Sequence, residues 1–210
     1  MQMARLLYIK ASPRGSASSA IAVADCYLDA LKARMPDLDV DVIDLWDAGL
    51  PEFDGNRVAA KLTVFGGGTN QGSQATLWDE IVAISTRFAS ADRYLFAIPM
   101  WNSGIPYKLK QYIDVLHQPG LTFGFDPAKG YFGLLHNKRA AVVYTSATFS
   151  DAVASPAFGA DHQSTYMTLM LNQAGITDIQ EIRYQPTMMS ADPEGDFARA
   201  RAAAAAAARA

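Results

Sequence analysis

The strongest constraint on this chain is an alternation. Five short runs of β-branched, aromatic or other apolar residues are separated by stretches with helical spacing. The runs are Leu6-Leu7-Tyr8-Ile9, Asp39-Val40-Asp41-Val42-Ile43-Asp44, Arg93-Tyr94-Leu95-Phe96-Ala97-Ile98, Ala140-Ala141-Val142-Val143-Tyr144-Thr145, and residues 176–184. Between the first two, Ile21, Val23, Ala24, Tyr27, Leu28 and Leu31 mark one face of an amphipathic helix over residues 18–34. Further helices are expected over about 74–89, over 107–116 with Pro106 suited to the first turn, over 164–174 with Gly175 as the stop, and from Pro193 onward. Strands alternating with helices predict an α/β protein, a five-stranded parallel sheet with helices on both faces. The second strand alternates polar with apolar, as a strand near a sheet edge can.

Residues 51–70 carry little pattern and end in Gly66-Gly67-Gly68-Thr69-Asn70, which reads as a mobile loop; residues 66–73 are a lid or a disordered segment. Residues 121–135, rich in Gly, Phe and Tyr, suit a small hairpin or an ordered loop. The final alanine-rich run favours helix but buries little, so its last turns are expected to fray. There is no internal repeat and no linker, which predicts a single domain over residues 1–210.

Composition removes several function classes. Half of the 210 residues are hydrophobic, enough for a packed core. A net charge of −3 disfavours nucleic acid or an anionic membrane as the main partner. Cys26 is the single cysteine, so neither an intrachain disulfide nor a cysteine-based metal cluster can form; it reads as inert helix core. His117, His136 and His162 lack metal-site spacing. No apolar run is long enough to span a bilayer, and the first residues lack a signal-peptide pattern, so a cytoplasmic protein is expected.

In doubly wound sheets ligands bind beyond the carboxyl ends of the strands. After the first strand comes Ala11-Ser12-Pro13-Arg14-Gly15-Ser16-Ala17-Ser18-Ser19, a hydroxyl-rich loop that opens a helix. Such a loop suits a phosphate, and equally suits plain helix capping and loop solvation. It contains neither G-x-G-x-x-G nor G-x-x-x-x-G-K-[ST], which disfavours dinucleotide and NTPase sites. A phosphomonoester held by hydrogen bonds fits better. After the third strand comes Pro99-Met100-Trp101-Asn102-Ser103-Gly104-Ile105-Pro106, stiff and partly aromatic. It can meet a flat aromatic ligand, against the plainer reading that Trp101 is core and the prolines end the strand. After the fourth strand comes Thr145-Ser146-Ala147-Thr148-Phe149-Ser150, again small and hydroxylated. The coincidence of three such loops in strand order is the argument for one crevice.

On these segments the chain resembles the FMN-dependent NADH-azoreductases, within the flavodoxin-like NAD(P)H:quinone reductase group. The resemblance runs over nearly the whole chain and is most specific from Pro99 through Asp114, with Pro106-Tyr107-Lys108-Leu109-Lys110-Gln111-Tyr112-Ile113-Asp114 at its centre. It continues in Gly120-Leu121-Thr122-Phe123, Lys138-Arg139-Ala140 and Gly175-Ile176-Thr177-Asp178. It implies a flavodoxin-like fold, FMN as cofactor, NADH or NADPH as donor, and a homodimer. It places the FMN phosphate on Ser12, Ser18, Ser19 and Ala20, and the ring against Met100, Trp101, Asn102 and Ser103. Ser146, Ala147, Thr148 and Phe149 would close the other edge. Two departures stand out. The family commonly has Tyr at the position of Trp101, and its loop after the fourth strand often reads Ser-Arg-Gly-Gly where this chain has Ser146-Ala147-Thr148-Phe149.

The activity implied is hydride transfer from nicotinamide to flavin and on to a quinone or azo acceptor, with ping-pong kinetics and no side-chain nucleophile. Phe123, Phe125 and Tyr131 are expected either as an aromatic wall over the ring or as packing within a hairpin. Phe158 would reach a neighbouring subunit's site. His162 is a candidate proton donor, although a lone loop histidine is more often a surface residue. Arg14, Arg57 and Lys61 are candidates for a nicotinamide 2′-phosphate. The competing readings are a non-enzymatic flavin carrier, a flavin-independent binding protein on the same fold, and, last, a phosphoacceptor, for which only Asp44 is suitably placed.

Overall fold

A strand buried on both faces reads as a continuous apolar run, and three runs here have that character. In a computed structural model, which describes residues 3–152 and 157–209, they form the middle of the main sheet. In chain order the strands are β1 (Arg5–Lys10), β2 (Asp39–Asp44), β3 (Arg93–Pro99), β4 (Phe123–Asp126), β5 (Gly130–Gly133), β6 (Arg139–Thr145) and β7 (Asp178–Tyr184). The helices are α1 (Ser19–Arg34), α2 (Gly55–Phe65), α3 (Ser73–Ala89), α4 (Tyr107–Leu116), α5 (Ser164–Ala174) and α6 (Pro193–Ala207). The main sheet is parallel, in the order β2-β1-β3-β6-β7, and β4 with β5 makes a separate antiparallel hairpin.

Successive residues of the central strands serve opposite faces. Leu7, Ile9, Phe96, Ile98, Val142 and Tyr144 pack with α3, α4 and α5. Leu6, Tyr8, Leu95, Ala97, Ala141 and Val143 pack with α1 and α6. Each fully buried Leu, Ile or Phe contributes about 1.5–3 kcal/mol of transfer free energy, so these two layers dominate the stability. The polar–apolar alternation of β2 fits its place at the edge. Asp41 there accepts from Arg5 Nη2 (2.6 Å) and from Arg87 Nε and Nη2 (2.9 and 2.6 Å). The Arg87 hydrogen bonds, aided by Arg5, hold its carboxyl down at about 2.

Three segments differ from expectation. Residues 55–65 form a helix where little order is expected. Asp54 caps α2 by accepting from Arg57 N (3.0 Å), but only Ala60 is buried, while Val58, Leu62 and Phe65 face outward. Those three residues do recur at helical spacing, a stripe that faces solvent instead of the core and that the glycine-rich stretch after it obscures. The following loop is tied back by Asn70 Nδ2, which donates to Ala60 O (3.0 Å). The alanine tail, expected to fray, holds as α6. Ala200, Ala204 and Ala208 are buried against the α1 side of the sheet, and Arg34 Nη1 donates to Ala208 O (3.4 Å) and Arg209 O (2.7 Å). Cys26 is not sealed in the core: it is half-buried, and its Sγ accepts from Arg201 Nε at 3.1 Å.

The β4–β5 hairpin lies at the amino end of the sheet. It follows α4, which runs back from the carboxyl end of β3, and it leads directly into the start of β6. Leu135 N donates to Ala174 O at the end of α5 (2.9 Å). A Cβ on Gly133 would fall 2.1 Å from the Gly175 nitrogen and 2.4 Å from the Ala174 carbonyl carbon. Backbone cannot give way there, so Gly133→Ala is expected to destabilise by about 1–3 kcal/mol, read from the urea midpoint. Gly55→Ala, where a Cβ meets nothing within 4 Å, is expected to stay within about 0.5 kcal/mol of the parent.

Candidate functional site

Because β1, β3 and β6 are parallel neighbours, the loops that leave them emerge side by side at the carboxyl edge. The pairings Lys10↔Ala97 and Pro99↔Thr145 set that alignment. β1 has β2 on one side and β3 on the other, so the chain reverses its winding direction there. A crevice at such a switch point is where ligands bind in open α/β sheets.

The loop after β1 presents the start of α1 at this edge. Ala11 N donates to Ala97 O (3.1 Å), and Ser12 is 2% exposed. Residues Gly15–Ala17 make one tight 3₁₀ turn, and Ser18 Oγ accepts from Ile21 N (3.4 Å) to cap α1. Among the described residues, the Ser19 and Ala20 N–H groups have no hydrogen-bond partner. They stand in the first turn of a 16-residue helix, where backbone donors and helix dipole both favour an anion.

The loop after β3 is a two-residue hairpin turn. Trp101 N donates to Gly104 O and Gly104 N to Trp101 O, both at 2.9 Å. The central residues Asn102 (φ 47°) and Ser103 (φ 67°) are left-handed, as the primed turns of hairpins require. Met100 N is held by Thr145 O (2.7 Å). Ser103 binds the chain beyond β6: its carbonyl accepts from His162 N (3.0 Å) and its Oγ from Ala160 N (3.4 Å). Trp101 remains 37% exposed. Its indole lies 5.6 Å from Trp46 and 6.4 Å from Tyr107, and Trp46 meets Tyr107 edge-on at 5.3 Å.

The loop after β6 is closed by its own hydroxyl, with Ser146 Oγ donating to Phe149 O. Its outer side is tied to the segment after β7, where Thr187 N donates to Ser146 O (2.8 Å) and Met188 N to Ala147 O (2.9 Å). Ala147 and Thr148 are exposed, and Phe149 is buried. Thr148 Oγ1 donates to Phe158 O (3.1 Å), and Gln163 Nε2 reaches back to Ile98 O (2.9 Å). The carboxyl of Asp161 feels burial, which would raise it, but hydrogen bonds from Ser164 and Arg183 hold it below its ordinary range. It thereby pins the start of α5.

Ser12, Ser18, Ser19, Ala20, Met100, Trp101, Asn102, Ser103, Ser146, Ala147 and Thr148 thus belong to three loops at one edge. The side chain of Phe149, in the same loop, is buried. Exposed His162 lines a shallow groove of about 440 Å³ with Ile105, Thr165, Tyr166 and Leu169. Phe123, Phe125 and Tyr131 form no wall over this edge within one chain. They pack on one another at the opposite end of the sheet, with Phe123–Tyr131 at 5.6 Å and Phe125–Tyr131 at 5.0 Å. There they line a cleft of about 350 Å³ with Lys61, Leu62, Phe65 and Pro119. His117 stands beside Phe123, and burial lowers its pKa to about 4, which keeps it neutral. Trp46 is the residue that sequence reasoning missed, since a lone tryptophan after β2 has no spacing partner to mark it.

The groups at the carboxyl edge are hydroxyls, backbone N–H groups, an amide, a thioether and an indole. Such a set is suited to binding and orienting a ligand more than to acid–base chemistry of its own. Among the described residues there is no cluster suited to a metal ion, and no helix is long and apolar enough to cross a membrane.

Comparison with known proteins agrees with this geometry. A family model described as flavodoxin-like fold matches residues 4–208. An FMN-dependent NADH:quinone oxidoreductase from Ruegeria pomeroyi is 47% identical over 201 residues, covering 96% of this chain and 98% of that protein. Another, from Desulfotalea psychrophila, is 42% identical over 187 residues, covering 89% and 87%. Among solved structures, an FMN-dependent NADH-azoreductase from Bacillus anthracis in complex with FMN superposes with a TM-score of 0.88. It is 26% identical and covers 99% of this chain and 98% of its own.

The positive φ at Asn102 supplies a direct test of the turn. Asn102→Gly is expected to fold with little change in melting temperature, whereas Asn102→Val is expected to cost about 1–2 kcal/mol. Thermal unfolding of the two variants reads the difference.

Proposed function

The chain belongs to the flavodoxin-like fold family, and on that premise we propose that it is an FMN-dependent NAD(P)H oxidoreductase that reduces quinones, azo compounds or both. One observation carries the reading: unpartnered N–H groups at the start of α1 and a half-exposed indole beside a rigid turn lie on neighbouring loops at the switch point of the sheet. The unpartnered N–H groups of Ser19 and Ala20 match a phosphomonoester. The half-exposed Trp101 beside a rigid polar turn matches one face and the polar edge of a planar heterocycle. The residues present therefore fit FMN.

Bound there, FMN supplies the two-electron redox chemistry between a reduced nicotinamide and the acceptor. The protein's own residues bind and orient. Ser12, Ser18, Ser19 and Ala20 hold the phosphate end. Met100 and Trp101 pack against the ring, and Asn102 and Ser103 offer backbone and side-chain groups to its edge. Ala147 and Thr148 line the third side, on a loop that Ser146 and Phe149 hold in shape. With Trp101 partly exposed at a single crevice, that one site would serve nicotinamide and acceptor in turn.

The aromatic hairpin bears on assembly. Phe123, Phe125 and Tyr131 lie too far from their own carboxyl edge to cover it. Phe125, Tyr131 and Phe132 are nonetheless exposed, as are Leu62 and Phe65 of α2. An exposed apolar patch of this kind marks an interaction surface. A homodimer in which one protomer's hairpin covers its partner's crevice satisfies both facts and gives these residues their acceptor-facing role. Phe158, at the crevice rim, would then face the partner. The full reaction is assigned to one domain over residues 1–210, in the cytoplasm, where the reduced nicotinamide pool is held.

The first test is a visible spectrum of protein desalted after incubation with FMN, followed by anaerobic NADH. A retained flavin band that bleaches with NADH and returns with quinone is expected, together with parallel double-reciprocal lines. A band that never bleaches would leave a flavin carrier, and no band at all would overturn the assignment. For the assembly, sedimentation is expected to give twice the chain mass of 22.7 kDa. A fully active monomer would remove the partner's role.

A further inference from the structure

We propose that Trp46 is a positioning residue for the flavin: one side chain that fixes the phosphate-holding loop with its N–H and the ring-holding loop with its π-face. The inference rests on the FMN reading above, and it concerns a residue outside the three loops that form the site.

Trp46 follows β2 and is itself fixed. Its backbone N donates to Asp44 Oδ1 (3.0 Å), and the preceding Leu45 N donates to Lys10 O (3.0 Å). The indole Nε1 donates to Ala11 O at 3.1 Å. Ala11 is fully buried, and its carbonyl belongs to the peptide that delivers Ser12. A buried carbonyl needs a donor, and among the described residues Trp46 is the one found for it. The same indole packs on Trp101 at 5.6 Å and on Tyr107 at 5.3 Å. Trp101 opens the Asn102–Ser103 turn, and Tyr107 opens α4. Trp46 therefore touches the peptide leading into the phosphate seat and the aromatic wall of the ring seat.

The two halves of the indole do separable work, which yields a test. Trp46→Phe keeps an aromatic face for Trp101 but removes the N–H, so it acts at the phosphate end. Trp46→Leu removes both. The readout is the dissociation constant, by flavin fluorescence, for FMN and for riboflavin, which lacks the phosphate. Visible circular dichroism of the bound flavin reports ring orientation.

In Trp46→Phe, FMN affinity is expected to fall roughly three- to tenfold, the usual worth of one hydrogen bond to a neutral acceptor, with riboflavin affinity and the dichroism band unchanged. In Trp46→Leu both ligands are expected to weaken and the band to change. A residue that merely fills space would weaken both ligands alike in Trp46→Phe. That result, or no change in either ligand, overturns the proposal. If Trp46→Leu does not fold, the FMN-to-riboflavin ratio in Trp46→Phe decides alone. Failure of the parent protein to bind FMN overturns the functional reading and this inference with it. A parent that binds FMN beside an unaffected Trp46→Phe overturns this inference only.

Discussion

The parallel pairing of β1, β3 and β6 is the constraint on which the rest depends. These strands are apolar on both faces because helices cover both, and parallel strands end at the same edge. Once Lys10 pairs with Ala97 and Pro99 with Thr145, three loops far apart in the chain must meet. The site needs no further folding event to assemble it. What the loops add is local: a 3₁₀ turn that presents the start of α1, a left-handed pair that folds Trp101 back on Gly104, and a serine hydroxyl that closes the third turn.

The two departures from the resembling family look different in three dimensions. An indole in place of a phenol at position 101 is matched by Trp46 and Tyr107, which give the larger ring two aromatic neighbours. In the loop after β6 the bulkiest newcomer, Phe149, does not project toward the crevice. It is buried, and the groups that face outward are the small Ala147 and Thr148. Loss of glycine therefore costs less approach than the sequence implies, since the large side chain is spent on the inside of the loop.

Much of the architecture was legible because it rests on period and punctuation. Each apolar run became a strand of the main sheet, and α1, α4 and α5 begin and end within a residue or two of expectation. The failures share a cause, which is that burial depends on partners the local pattern does not reveal. α2 carries an apolar stripe, Val58, Leu62 and Phe65, but turns it outward, so its pattern marks a helix without saying what covers it. Phe123, Phe125 and Tyr131 look like site residues by type, but only the tertiary fold shows that α4 carries them to the far end of the sheet. Trp46 escaped notice for the opposite reason: its importance lies in contacts to Ala11, Trp101 and Tyr107, each distant in sequence.

The alanine tail has a consequence for how freely the carboxyl terminus can vary. By composition it looks like filler, in which any small residue would serve. Yet Ala200 and Ala204 of α6, with Ala208 just past its end, recur every fourth position along one line, pressed into the layer that α1 shares with the sheet, while Ala202 and Ala206 on the far side look out at water. Adding even a methylene along that line would lever the helix off its bed, and the same change on the opposite face, at Ala202 or Ala206, would pass unnoticed. A segment of low complexity is here a two-sided part, permissive on one side and intolerant on the other. Its monotony records how close a helix can lie.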